Sequence, residues 1–244
     1  MPATQNASAP KTALVTGGAK RIGRAISLAL GRAGFDVALT YRSSAQEAAA
    51  TVAALQSLGV RAFALQMEVR SEPSVREAVA AAVHSLGHLD LLVNNAAVFE
   101  SVPLPEMTLD QWDRVFESNA RGPFLVSREA IPHLKAAHGR IVHLGSVGAT
   151  HPWPLHAHYC SAKAALNMLT LTMAKALAPE ISVNCVSPGY IEMEELEAAD
   201  RFRARTPMGR NGTAEEVAEA VLFFATGPRF ITGQILTVDG GMGL

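Results

Sequence analysis

Cysteine is scarce in this chain of 244 residues: Cys160 and Cys185 are the only two. That is too few for a disulfide scaffold and fits a reducing compartment, so the expected location is cytoplasmic. Charge of one sign is missing too, since 21 Lys and Arg stand against 22 Asp and Glu, a formal net charge of -1. Without a chain-wide field to hold a nucleic-acid backbone or an anionic membrane, neither is expected as a partner. Nowhere do about 18 apolar residues run together, the length a membrane span requires. Residues 1–10 are small and polar with two prolines; they resemble neither a secretory nor a transit signal and read as a disordered tail. No solenoid repeat or low-complexity tract marks a second domain. The chain is 49% apolar, enough for residues 11–244 to bury one large core.

Short apolar runs alternate with helical patterns along that core. Ala13 to Val15 reads as a strand that ends in a glycine turn, and Ile22, Ile26, Ala29 and Leu30 follow at helical spacing. The alternation recurs as strands at 35–40, 61–69, 89–93, 140–144, 181–186 and 235–238, with helices at 45–58, 75–86, 109–134, 158–177 and 214–225. Seven strands and six main helices, joined by right-handed crossovers, predict an α/β fold: a single doubly wound, Rossmann-type domain with helices on both faces of a parallel sheet. The irregular stretch at 187–212, with its charged 192–205 segment, is expected to act as a mobile lid.

The first turn reads Thr16-Gly17-Gly18-Ala19-Lys20-Arg21-Ile22-Gly23. Glycines between a strand and a helix let backbone amides approach a pyrophosphate, whose charge the helix N-terminus favours. The second strand ends Thr40-Tyr41-Arg42-Ser43, without the acid that holds a ribose 2'-hydroxyl in NAD sites. Arg42, with Lys20 and Arg21, instead offers positive charge for a 2'-phosphate, which favours NADP(H).

Tyr159 and Lys163 are four residues apart at the start of a predicted helix and share one face. A free phenol titrates near about 10, and a neighbouring ammonium favours its ionised form, which would make Tyr159 usable for proton transfer. Ser146 follows the strand at 140–144, at the sheet edge where ligands bind, and is placed to hold a substrate oxygen.

Taken with Asn94-Asn95-Ala96, Asn119, Ser187-Pro188-Gly189 and Asp239-Gly240-Gly241, these motifs resemble the short-chain dehydrogenase/reductase family over nearly the whole chain, from Lys11 to Gly241. The resemblance implies a nicotinamide oxidoreductase acting on a carbonyl. It implies that Tyr159 donates the proton, Lys163 lowers its pKa and binds the nicotinamide ribose, Ser146 orients the carbonyl, and Asn119 holds a relay water. It also implies cofactor contacts from Gly17, Lys20, Arg21, Ile22, Gly23, Arg42, Glu68, Val69, Asn95, Ala96, Pro188, Gly189 and Ile191. A homotetramer is the family's usual assembly.

Three positions are similar to the pteridine reductase branch: Arg21 in place of the middle glycine, Phe99 after the fourth strand, and Phe230-Ile231-Thr232-Gly233. An aromatic ring at Phe99 suits a flat heteroaromatic substrate such as a dihydropterin. That branch carries an aspartate where this chain has Ser146, which suits a ketone or 3-oxoacyl compound instead. Trp153, between two prolines, is a second candidate substrate wall. His151, His156, His158 and Cys160 lack the spacing and supporting groups of a zinc site, so no metal is expected. An NADPH-dependent carbonyl reductase is therefore expected, against a catalytically silent NADP(H)-sensing regulatory protein that keeps the fold.

Overall fold

The computed structural model describes residues 10–192 and 203–244. The expected tail, Pro10 aside, and most of the 192–205 segment lie outside the described residues.

Seven parallel strands form one sheet in the order β3-β2-β1-β4-β5-β6-β7. They are β1 (Thr12–Val15), β2 (Asp36–Tyr41), β3 (Ala62–Gln66), β4 (Leu91–Asn94), β5 (Arg140–Leu144), β6 (Ser182–Pro188) and β7 (Ile235–Val238). Buried on both faces, these strands read as apolar runs rather than alternating ones. Successive side chains still point opposite ways. Ala13 and Val15 join one core with Val37, Leu39, Leu91 and Val93, under α1 (Arg21–Arg32), α2 (Ala45–Ser57) and α7 (Ala214–Thr226). Leu14, Ala38, Leu92 and Ile141 join the other, under α3 (Glu72–Leu86), α5 (Gly122–Ala136) and α6 (Ala157–Leu177). The strand order reverses beside β1, and the crevice that opens there at the carboxyl ends is where open parallel sheets bind ligands.

Two predicted elements differ. The strand expected at 61–69 ends at Gln66, because Glu68 is drawn into a turn by hydrogen bonds with Ser74 and Arg70. The helix expected at 109–134 is two helices, α4 (Leu109–Phe116) and α5, with a π-helical turn, Glu117–Arg121, between them. Pro123 has no N–H, so the carbonyl of Asn119 cannot receive the α-helical bond from the residue four further on, and the turn widens there.

Candidate active site

The turn after β1 is built for close backbone approach. Gly17 has φ +62°, in the left-handed region glycine tolerates, and a Cβ there would lie 3.1 Å from the Ala96 Cα. A Cβ on Gly23 would lie 2.1 Å from the Gly17 carbonyl oxygen. Thr16 ties this turn to β4: its hydroxyl accepts from the amides of Asn95 and Ala96, both at 3.0 Å. Asn95 answers by donating its Nδ2 to the carbonyls of Thr16 and Gly17, at 2.9 and 3.0 Å. The amides of Gly17 and Gly18 are engaged by Thr40, so the donors facing outward belong to the first turn of α1, where Ile22 and Gly23 have no intrahelical acceptor. Arg21, the first residue of α1, holds φ +52°. That is the conformation a glycine would adopt more cheaply, by roughly 1–2 kcal/mol. Lys20, just before α1, and Arg42, just after β2, are both exposed.

Glu68 follows β3 beside Arg42. Its Oε2 lies 4.0 Å from the Arg42 guanidinium and 3.0 Å from that of Arg70. The hydrogen bond from Arg70 holds the Glu68 carboxyl below the usual range. Val69 packs against Gly122. On the other side of the crevice, Gly189 comes so close to Asp239 that a Cβ would sit 2.6 Å from the Asp239 Cβ. Pro188 and Ile191 are buried beside it.

Ser146, Tyr159 and Lys163 meet where β5 ends. Ser146 is buried, its hydroxyl accepts from the Gly148 amide at 3.1 Å, and it lies near enough to the Tyr159 phenol to favour its ionised form. Lys163 is buried, donates Nζ to the Leu144 carbonyl at 2.6 Å, and stands 5.7 Å from the centre of the Tyr159 ring. Burial pushes the Tyr159 phenol up to about 12, against a smaller lowering from Ser146. It pushes the Lys163 ammonium down to about 8. In the protein alone, desolvation outweighs the lowering by Ser146, and the phenol stays protonated at neutral pH. A protonated phenol is the form a proton donor needs.

Aromatic rings surround that phenol. Phe99 meets Tyr159 edge-on at 4.8 Å, and Trp153 lies parallel to it at 6.1 Å, with planes 7° apart. Phe99 also touches His156 at 4.6 Å and is 59% exposed.

Residues 17–243 match the family described as Enoyl-(Acyl carrier protein) reductase. The chain is 35% identical to the 3-oxoacyl-[acyl-carrier-protein] reductase FabG of Staphylococcus epidermidis, over 95% of this chain and 98% of that protein. A dehydrogenase/reductase of Sinorhizobium meliloti superposes with a TM-score of 0.93 at 38% identity, covering 97% of this chain and 96% of that one. A blue fluorescent protein from a metagenomic library, in complex with NADPH, superposes with a TM-score of 0.91 at 35% identity, covering 96% and 98%. The chain belongs to the short-chain dehydrogenase/reductase family.

Within this fold, Tyr159 is brought together with Ser146, Lys163, Phe99 and Trp153, and two of the other predicted residues are used in ways the sequence did not indicate. Asn119 uses both side-chain polar atoms on the backbone of Val98, each at 2.8 Å. Its side chain thus clamps the loop after β4. His158, expected in the substrate loop, is fully buried and turns toward Glu100. Three contributors were not legible in the sequence: Glu100, Arg114 and His143, which lies against Asn94. For Thr16 a signal existed, a hydroxyl directly before the glycines that can serve two amides. Among the described residues no group of three or more His, Cys, Asp or Glu side chains could hold a metal ion, and no helix is long and apolar enough to cross a membrane.

Proposed function

We propose that this protein is an NADPH-dependent reductase of a small carbonyl compound, a ketone or a 3-oxoacyl type, working in the cytoplasm with Tyr159 as general acid. The observation that carries the reading is the meeting of a buried Ser146, Tyr159 and a buried Lys163, whose Nζ stands 5.7 Å from the centre of the Tyr159 ring, with burial favouring the protonated phenol. NADPH, when bound, supplies the hydride that goes to the carbonyl carbon.

The chain's residues do the rest. The glycine turn leaves room for the pyrophosphate, with Gly17, Ile22 and Gly23 lining it, while Lys20, Arg21 and Arg42 meet the 2'-phosphate. Asn95, Ala96, Glu68 and Val69 border the adenosine half; Pro188, Gly189 and Ile191 border the nicotinamide half. Ser146 holds the substrate oxygen and Tyr159 gives it a proton as the new alkoxide forms. Lys163, with its pKa near about 8, replaces that proton in concert with a water on the Asn119 carbonyl. FabG, by its name a 3-oxoacyl reductase, and the NADPH-complexed neighbour support both halves of the reading.

A second reading, reduction of a dihydropterin, draws on the exposed Phe99 beside Tyr159, which offers a ring to a flat heterocycle. We also propose a homotetramer. Exposed Phe124, Met168 and Leu171 on α5 and α6, and Phe223, Phe230 and Leu236 beside the free edge strand β7, are apolar surface that a second copy would cover.

NADPH consumption over a panel of ketones, a β-keto ester and dihydropterins tests the function. Tyr159→Phe should keep NADPH binding and lose at least about a hundredfold in kcat. Tight NADPH binding with no turnover on any substrate would instead establish a sensing protein.

A further inference from the structure

Resting on the reductase reading, we infer that Glu100 is a specificity-positioning residue: by bridging Arg114 of α4 and His158 of α6, it fixes the angle of Phe99 at the site and favours aryl ketones over linear ones. Phe99 sits between two anchors. On one side, Val98 is clamped by Asn119 through two hydrogen bonds. On the other, one Glu100 oxygen pairs with the Arg114 guanidinium, and the second lies 3.4 Å from Nε2 of His158. His158 immediately precedes Tyr159, so the carboxylate ties the loop bearing the substrate wall to the helix bearing the proton donor.

The site around Glu100 is costly unless it serves such a bridge. His158 has no exposed surface, and among the described residues neither of its ring nitrogens, nor the Glu100 Oε1 that faces Nε2, makes a hydrogen bond, so the contact at 3.4 Å is one of proximity and charge. A carboxylate brought against a buried ring needs its charge compensated; the hydrogen bond from Arg114 does so and holds Glu100 ionised below the usual range. Two further links follow along the same loop: the Val102 amide donates to the Leu155 carbonyl at 2.8 Å, and the Ser101 hydroxyl is 3.4 Å from His156 Nε2. Phe99 is a large apolar side chain left largely exposed on this loop, and it meets the Tyr159 ring in a T-shaped arrangement. A substrate ring would stack on it; a linear chain would gain little from its angle.

The test is steady-state reduction of acetophenone and of ethyl acetoacetate with NADPH by the full-length enzyme. Glu100→Ala should raise the KM for acetophenone about tenfold while kcat and the KM for ethyl acetoacetate stay within about threefold, because uniform binding to one substrate is lost rather than the chemistry. Glu100→Gln, which keeps the side-chain shape and an acceptor for Arg114, should restore most of the selectivity. Arg114→Met removes the same anchor from the exposed side of α4 and stands in if Glu100→Ala does not fold. Equal losses for both ketones, or an unchanged ratio, would overturn the inference while leaving the reductase reading intact. If the wild type reduces neither ketone nor any compound of the wider panel, the reductase reading falls and takes this inference with it.

Discussion

Replacing His143 by asparagine should flatten the acid limb of the protein's stability. His143 lies on β5 beneath the site with no exposed surface, its Nδ1 3.2 Å from the amide nitrogen of Asn94, which also donates to Ser127. An amide nitrogen only donates, so Nδ1 accepts and the ring proton sits on Nε2. Burial, with the Lys163 charge adding to it, pushes the imidazolium from 6.5 down to about 3. Between those values the unfolded chain binds a proton that the folded protein refuses. The stability His143 supports is therefore whole above pH 6.5 and is lost as pH falls toward about 3. At about 1.4 kcal/mol per pH unit, wild type should lose about 2 kcal/mol between pH 6.5 and about 5 through this residue alone. Urea unfolding followed by circular dichroism, at fixed protein concentration and at about pH 7 and about pH 5, measures the difference. Asparagine keeps an acceptor toward Asn94 and cannot titrate. The variant should be less stable at neutral pH because it leaves a cavity, yet its loss on acidification should be smaller by about 2 kcal/mol. Carboxylates such as Glu68 and Glu216 contribute equally to both proteins and cancel. Equal acid slopes for wild type and variant would refute the reasoning, since His143 would then take its proton without unfolding.

Arg42→Ala should raise the KM for NADPH at least about tenfold and leave that for NADH within about twofold, because only NADPH carries the 2'-phosphate for which we propose this guanidinium. Parallel kinetics with both nucleotides check this, and equal effects would remove Arg42 from cofactor choice. Gly23→Ala would place a Cβ 2.1 Å from the Gly17 carbonyl and 2.6 Å from Asn95 Nδ2. The turn must then open, and NADPH affinity, read by fluorescence titration, should fall more than about tenfold while the rest of the fold persists.

Much of this protein was legible in one dimension. Strand-to-helix alternation dictates a doubly wound sheet because a parallel strand pair needs a crossover, and crossovers of one hand place helices on both faces. The glycine turn was equally local, since a Cβ at Gly23 collides with its own neighbouring segment. The four-residue spacing of Tyr159 and Lys163 put both on one helical face. Their protonation states were decided only in three dimensions. Whether an ammonium lowers a phenol depends on how much water each has lost, and burial on β5 and α6 pushes the phenol up and the ammonium down. The break of the long helix at Asn119 follows from Pro123, four residues further on, and not from any hydrophobic pattern, and the contact from Glu100 to His158 joins residues 58 positions apart. Periodicity reports which face of an element is buried. It carries no account of which side chain from another element arrives there, and the charges of this site are set by that arrival.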